Sequence, residues 1–248
     1  MIKYEVVDKI GIIYLDRPDK RNALNPELII ALTKKFKEVS VDPDIKVLVI
    51  SGSGSAFCAG ADLEYLASLK DFSIEENEKD SKKIADMFIA LNNVPQPTIA
   101  AVNGPAIAGG CGLATVCDFI IADKEKAKFG YSEVKIGFLP AIVSIFLINK
   151  IGFNKAKRLL LTANIINSPE ALELGLVDYL GENVREDAII FAKTLIKNSF
   201  DSLVFTKQML NNIYKLDIES AVDYCIKLNV ISRTQEDFIK GLSNFIKK

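Results

Sequence analysis

The sequence predicts an α/β fold that ends in a helical region. Two observations carry this. An apolar strand, a glycine-bearing loop and a helix follow one another twice, with the strands at Ile45–Ile50 and Thr98–Val102. After Arg185 the strand signals stop and helical periodicity runs on with few breakers.

The elements follow in order. Tyr4–Val7 and Gly11–Leu15 read as two strands around a turn at Asp8-Lys9. Asp16–Asn22 is a polar loop. Asn25 followed by Pro26 is a helix-start signal: Asn accepts a bond from a free helical N–H, and Pro has none to lose. That helix is predicted to run to Ser40, with Leu28, Ala31, Leu32 and Phe36 on one face. Residues 70–83 are strongly charged and read as a mobile loop leading into a helix that ends near Asn92-Asn93. Pro95 and Pro97 separate it from strand Thr98–Val102. Asp118–Ala122 reads as a strand and Lys128–Glu133 as a short strand and turn. Helices are predicted over 141–150, 153–162 and 168–174, then a last strand at Leu176–Leu180. Four helices follow, over 185–198, 201–215, 217–230 and 234–247. The expected division is a core over 1–192 and a helical appendage over 193–248.

Composition narrows the chemistry. The 248 residues hold 31 Lys and Arg against 32 Asp and Glu, a net charge of −1, which gives no support to nucleic-acid binding. Short runs such as Lys34-Lys35 and Lys82-Lys83 read as solvated helix faces. There is no histidine. Ser-His-Asp and Cys-His nucleophilic sites are therefore excluded, as are histidine-bearing zinc sites. A general base must be Glu, Asp, Lys, Tyr or Cys. The four cysteines, Cys58, Cys111, Cys117 and Cys225, show no metal spacing, so no metal is expected. They read as reduced small hydrophobes of a cytoplasmic protein. Cys58 and Cys111 lie in the two loops and stay open as nucleophiles. The N-terminus lacks the basic start and apolar run of a signal peptide. Thr98–Val116 approaches membrane-spanning length but carries Asn103, Pro105 and four glycines, so a buried strand and loop is expected, and no membrane partner.

The first loop is Ser51–Asp62 and the second Asn103–Gly112. A strand–loop–helix junction leaves backbone N–H groups unpaired where the helix dipole is positive. Small residues let a ligand approach that backbone closely. Two such junctions facing each other can hold one negative oxygen between two donors, an oxyanion hole. The alternative is that both loops are only tight turns. Gly52-Ser53-Gly54 after a strand also hints at a dinucleotide fingerprint, but Phe57 stands where the third glycine belongs.

Five stretches together resemble the crotonase superfamily, also called the enoyl-CoA hydratase/isomerase family. They are Asp16-Arg17-Pro18 with Arg21-Asn22-Ala23-Leu24; Phe57-Cys58-Ala59-Gly60-Ala61-Asp62-Leu63; Ala100-Ala101-Val102-Asn103-Gly104 with Gly109-Gly110; Cys117-Asp118; and Phe129-Gly130 with Glu133. The resemblance spans nearly the whole chain. It implies a crotonase-like spiral of strand–strand–helix turns and a C-terminal helical region that mediates a homotrimer or a dimer of trimers. It implies acyl-CoA thioester substrates, with coenzyme A as part of the substrate and no separate cofactor. It also implies that the N–H groups of Ala61 and Gly109 bind the thioester oxygen and that Glu133 is the catalytic acid/base. Partial burial of Glu133 in its apolar context would raise its pKa and suit it to give and take a proton near neutrality. The plainer reading of Glu133 is a first-turn helix acid.

By the same resemblance, Lys20, Arg21, Ala23 and Leu24 with Ala59, Gly60, Asp62 and Leu63 line the coenzyme A path. Gly110, Gly112 and Pro140 join the substrate site, and Phe245 and Lys248 reach a neighbouring subunit's coenzyme A. For Phe245, helix packing is the equal alternative. Glu64 stands where the family often has a lysine. Two-carboxylate hydratases carry a glutamate three residues after the oxyanion glycine, and here that residue is Gly112. The run Ser132–Ser144 is most similar to a bacterial branch assigned as methylglutaconyl-CoA hydratases. The expected activity is hydration of a short branched 2-enoyl-CoA in leucine catabolism, with a substrate carboxylate helping to orient the water. A 3-enoyl to 2-enoyl isomerase, a glutaconyl-type decarboxylase and a non-catalytic acyl-CoA-binding scaffold are the alternatives.

Overall fold

The computed structural model describes residues 1–246. The expectations placed on Lys248 and on the Phe245 side chain lie outside the described residues. Two strands open the chain, β1 (Ile2–Val7) and β2 (Ile10–Leu15), paired antiparallel. Asp8 and Lys9 turn between them with φ of 51° and 68°, both left-handed, as the twist of a two-residue hairpin requires. Helix α1 (Pro26–Ser40) starts where the sequence indicates, with the Asn25 side chain accepting from the Leu28 N–H at 3.0 Å.

Four further strands extend the sheet: β3 (Val47–Gly52), β4 (Thr98–Val102), β6 (Phe119–Asp123) and β9 (Tyr179–Gly181). The order is β1-β2-β3-β4-β6-β9, parallel from β2 onward. Every residue of β3 and β4 is buried, which fits strands covered on both faces. Alternate residues feed two cores. Leu48, Ile50, Ala100 and Val102 face the main core with Leu28, Leu32 and Phe36 of α1. Val47, Val49, Ile99 and Ala101 face a second core. That core is closed by Val184, Ala188 and Ala192, one per turn of α8 (Val184–Ile196). Residue 192 thus lies inside one continuous helix, and the expected division cuts through α8.

Helices α2 (Leu63–Ser68) and α3 (Ile74–Asn92) follow the first loop. The expected mobile loop over 70–83 is mostly helix. Ser73 and Glu76 form a capping box that starts α3, and Met87, Phe88 and Leu91 bury its apolar face. A second, three-stranded sheet joins β5 (Ala106–Ile107), β7 (Lys128–Gly130) and β8 (Ile166–Asn167). Helix α4 (Gly109–Val116) opens right after β5. Beyond it come α5 (Ala141–Ile151), α6 (Phe153–Thr162) and α7 (Ser168–Leu174). The strand expected at Leu176–Leu180 is β9, shifted to Tyr179–Gly181, because Leu176 and Val177 are buried in the turn before it. The chain then runs through α9 (Phe200–Ile213), α10 (Ile218–Arg233) and α11 (Glu236–Ile246). Among the described residues no helix is long and apolar enough to cross a membrane.

Candidate active site

Parallel pairing sets β3 and β4 side by side, with Ser51 opposite Ala101. Both glycine-bearing loops therefore leave the same sheet edge, at the carboxyl ends of the strands, where open α/β sheets bind ligands. Asn103 ties them: its side chain accepts from the Gly52 N–H and donates to the Gly54 carbonyl, each at 3.0 Å. Further along, the Ile107 N–H donates to the Cys58 carbonyl at 2.9 Å, and the Cys58 N–H to the Pro105 carbonyl at 3.1 Å. Gly60 sits at φ 90°, and a Cβ there would stand 2.9 Å from the Ile107 carbonyl oxygen. Only glycine allows the loops to meet so closely.

Leu24 holds the two expected donors near one another. Its N–H donates to the Gly60 carbonyl at 2.7 Å, and its carbonyl accepts from the Asp62 N–H at 2.8 Å. Successive amides of an extended segment point to opposite sides, so the Ala61 N–H points away from Leu24. It has no backbone partner among the described residues, and Ala61 is exposed. A Cβ on Gly109 would lie 3.2 Å from Leu24 Cδ1. Gly109 is the first residue of α4, so its N–H has no acceptor within the helix. The residue before it, Ala108, is held at φ 51°, ψ −124°, a region strained for any residue with a Cβ. The Ala108 N–H donates to Gly130 at 2.7 Å, which pins that strained turn to β7.

The same contact brings in the acid. Glu133 lies three residues beyond Gly130, at the start of a single turn of tight helix. Two residues earlier, the buried Tyr131 hydroxyl lies 2.8 Å from Thr115 Oγ1 on α4. Glu133 is only 8% exposed, and its Oε2 has no hydrogen-bond partner. Burial pushes its carboxyl above the ordinary value, opposed only by a bond from its own backbone. Cys58 and Cys111 are fully buried, and burial pushes both thiols up to about 12. Neither is a thiolate near neutral pH, which removes them as nucleophiles.

The remaining expected residues divide. Lys20 and Arg21 are exposed at the rim, and Lys20 Nζ meets Glu64 Oε1 at 2.7 Å. Leu63 is 75% exposed, and Ala59 and Pro140 are half-buried. Ala23 and Gly60 are buried beneath them. The Asp62 carboxylate is turned inward to Arg17 at 2.9 Å. Gly110 and Gly112 are buried; the Cβ direction of Gly112 is filled by Val143 and Phe88, so a substrate does not contact it from that side. Sequence reasoning assigned no role to Arg17, Ala108 or Val143. Arg17 sits within the quoted motif, but its partner is 45 residues away.

Two amides without a backbone acceptor, and a buried carboxyl on the segment tied to the start of α4, are groups of the kind that can steady a negative oxygen and move a proton. The profile of the enoyl-CoA hydratase/isomerase family matches residues 5–248, and the chain belongs to that family of enzymes. A Thermus thermophilus protein named for enoyl-CoA hydratase is 37% identical, over 96% of this chain and 95% of its own. The crotonyl-CoA hydratase of Syntrophomonas wolfei is 31% identical over 98% of this chain and 94% of its own. The crystal structure of an enoyl-CoA hydratase from Bacillus anthracis superposes with a TM-score of 0.92 at 27% identity, covering 99% of this chain and 96% of that one.

Proposed function

We propose that this protein adds water to 2-enoyl-CoA thioesters and removes it again, acting on a short branched acyl group such as 3-methylglutaconyl-CoA. The thioester oxygen accepts from the N–H groups of Ala61 and Gly109. Water attacks the β-carbon and gives a proton to the Glu133 carboxylate. The alkene electron pair moves through the α-carbon onto the thioester oxygen. The enolate then collapses, and the α-carbon takes the proton back from Glu133. The observation that carries this reading is the buried Glu133, its Oε2 without a partner, three residues beyond the Gly130 carbonyl that holds Ala108, together with two loop amides that have no backbone acceptor. The names of the relatives support the hydratase activity.

The coenzyme A nucleotide is read as passing Lys20 and Arg21 at the rim, with Glu64 drawing on Lys20 there. Self-association is part of the same reading. Ile218, Val222, Ile226 and Val230 form an exposed apolar stripe along α10, four residues apart. Light scattering of the purified protein tests for a trimer or a hexamer.

A second reading has one specific support. Val143 stands where a second carboxylate on Gly112 would need room. A lone acid suits the shift of a double bond from the 3- to the 2-position, with Glu133 carrying one proton between carbons. A panel of acyl-CoA thioesters in water labelled with heavy oxygen separates the two. Label enters the product of a hydratase and not that of an isomerase. No turnover on any thioester would leave an acyl-CoA-binding scaffold.

A further inference from the structure

Arg17 lies just past β2, beneath the first loop, and the reaction scheme gives it nothing to do. Its guanidinium is nonetheless held by two partners. Nη2 donates to Asp62 Oδ2 at 2.9 Å, and Nη1 donates to the Ala23 carbonyl. The two side chains are 14% and 8% exposed. Arg17 thereby joins the two segments, 21–24 and 59–62, whose backbone bonds fix the direction of the Ala61 peptide.

Each neighbour of Ala61 is anchored in turn. Gly60 accepts from Leu24, and the Asp62 N–H donates to Leu24. Asp62 Oδ1 accepts from the Glu64 N–H at 3.1 Å, which caps α2. Burial alone would raise the Asp62 carboxyl, but the Arg17 hydrogen bond and the Tyr65 and Glu64 amides bring it below its ordinary value. The base of the brace is fixed as well. The Arg17 N–H donates to Asn22 Oδ1 at 2.9 Å, and Asn22 Nδ2 donates to Ser53 and Ala56 at 2.9 Å each. Arg21 and Asn22 hold φ of 49° and 57°, so the segment is strained and needs external bonds to keep its shape.

We infer that Arg17, acting through Asp62, is a positioning residue that aims the Ala61 N–H at the substrate's thioester oxygen. The inference rests on the oxyanion reading of Ala61. A planar fork serves two acceptors at fixed angles, whereas a lysine ammonium is a single point charge on a flexible stem. An oxyanion donor loses effect when turned by a fraction of an ångström, so a tether that leaves the fold intact still matters to catalysis.

The test compares Arg17→Lys, Arg17→Ala and Asp62→Asn with the parent and with Gly109→Pro. The probe is crotonyl-CoA carrying carbon-13 at the thioester carbonyl, read by infrared difference spectroscopy alongside kcat, KM and the melting midpoint. In Arg17→Lys, kcat is expected to fall about 10- to 100-fold, as for a partly misaimed donor, with KM within about twofold. The bound carbonyl stretch should move back toward its frequency in water. Guanidinium at non-denaturing concentration should restore several-fold activity to Arg17→Ala and none to Gly109→Pro. Should Arg17→Ala not fold, Arg17→Lys and Asp62→Asn carry the same readouts. A folded Arg17→Lys with the parent's carbonyl frequency and kcat overturns the inference alone. A parent protein that leaves the carbonyl frequency unmoved overturns the oxyanion reading, and this inference with it.

Discussion

Val143 of α5 fills the space beside Gly112 of α4: a Cβ built on Gly112 would overlap Val143 Cγ1 and lie 3.0 Å from Val143 Cβ. Phe88 of α3 closes the same spot at 3.4 Å. Three helices therefore meet where a longer side chain would have to go. Gly112→Glu is expected to overpack this contact and lose about 1–3 kcal/mol, as inserted core atoms do. Gly112→Glu with Val143→Gly should recover part of the loss, since the second change vacates the volume. Urea unfolding of the two single variants and the double variant measures the coupling. Strictly additive losses would show that Val143 and Gly112 do not share that space.

Glu133 ties stability to pH in a direction opposite to a salt-bridged acid. Its ordinary value is 4.5, and burial raises it in the folded state. The folded protein therefore binds this proton more tightly than the unfolded chain does. The stability it contributes is full below 4.5 and is lost as pH rises through the raised folded value. Glu133→Gln removes that titration. The variant is expected to be more stable than the parent at neutral pH, with the difference closing in acid. Denaturant melts at both ends of the range check this. Its turnover should fall about 10²–10⁴-fold, the usual contribution of a placed acid/base. Parent-rate hydration by Glu133→Gln on every enoyl-CoA tested would remove Glu133 from the mechanism.

Gly109→Pro deletes one donor. Gly109 is the first residue of α4, where proline's fixed φ suits the helix and its missing N–H breaks no helical bond. The one close neighbour of an added Cβ is Leu24 Cδ1, the end of a flexible side chain. A proline also presses on Ala108, held at φ 51° and ψ −124°, so the melting midpoint is expected to fall; a Gly109→Pro protein that retains the parent's circular dichroism should lose about 10²–10³ in kcat, the typical effect of removing one oxyanion donor. Unchanged turnover in the folded variant would refute the role of that amide.

Local signals carried most of the fold. Asn25-Pro26 marked the start of α1, and the unbroken apolar runs marked β3 and β4, because each signal acts within a few residues. Charge misled at 70–83. The charged residues from Glu75 to Lys83, the buried Asp80 apart, line the exposed side of α3, whose start is marked by Ser73 with Glu76 three residues on. β5 and β8 have two residues each, too few to show a period. The burial of Glu133 in its apolar context and the two glycine-bearing loops after β3 and β4 were legible because they lie in contiguous motifs. Arg17 with Asp62 and Val143 with Gly112 were not, because each contact joins elements far apart in the chain and exists only once the strands have aligned.

The C-terminal helices are fastened to the core by another such contact. Lys207 of α9 donates to Asp118 Oδ2 at 2.6 Å and to the Gln96 carbonyl at 2.9 Å. The same Asp118 oxygen accepts from the Thr98 N–H and hydroxyl at 2.7 and 2.8 Å, at the first residue of β4. The lysine side chain is only 10% exposed. Lys207→Met keeps the apolar stem and removes the charge, leaving the carboxylate with neutral donors alone. A charge-assisted hydrogen bond contributes about 1.5–3 kcal/mol, and Lys207→Met should lose that much. Its effect should concentrate in α9, because the β4 amides keep their sheet partners. Hydrogen exchange resolves the two regions: faster exchange in α9 with β4 unchanged is expected. Equal protection of α9 in parent and variant would mean that apolar packing alone docks the helix.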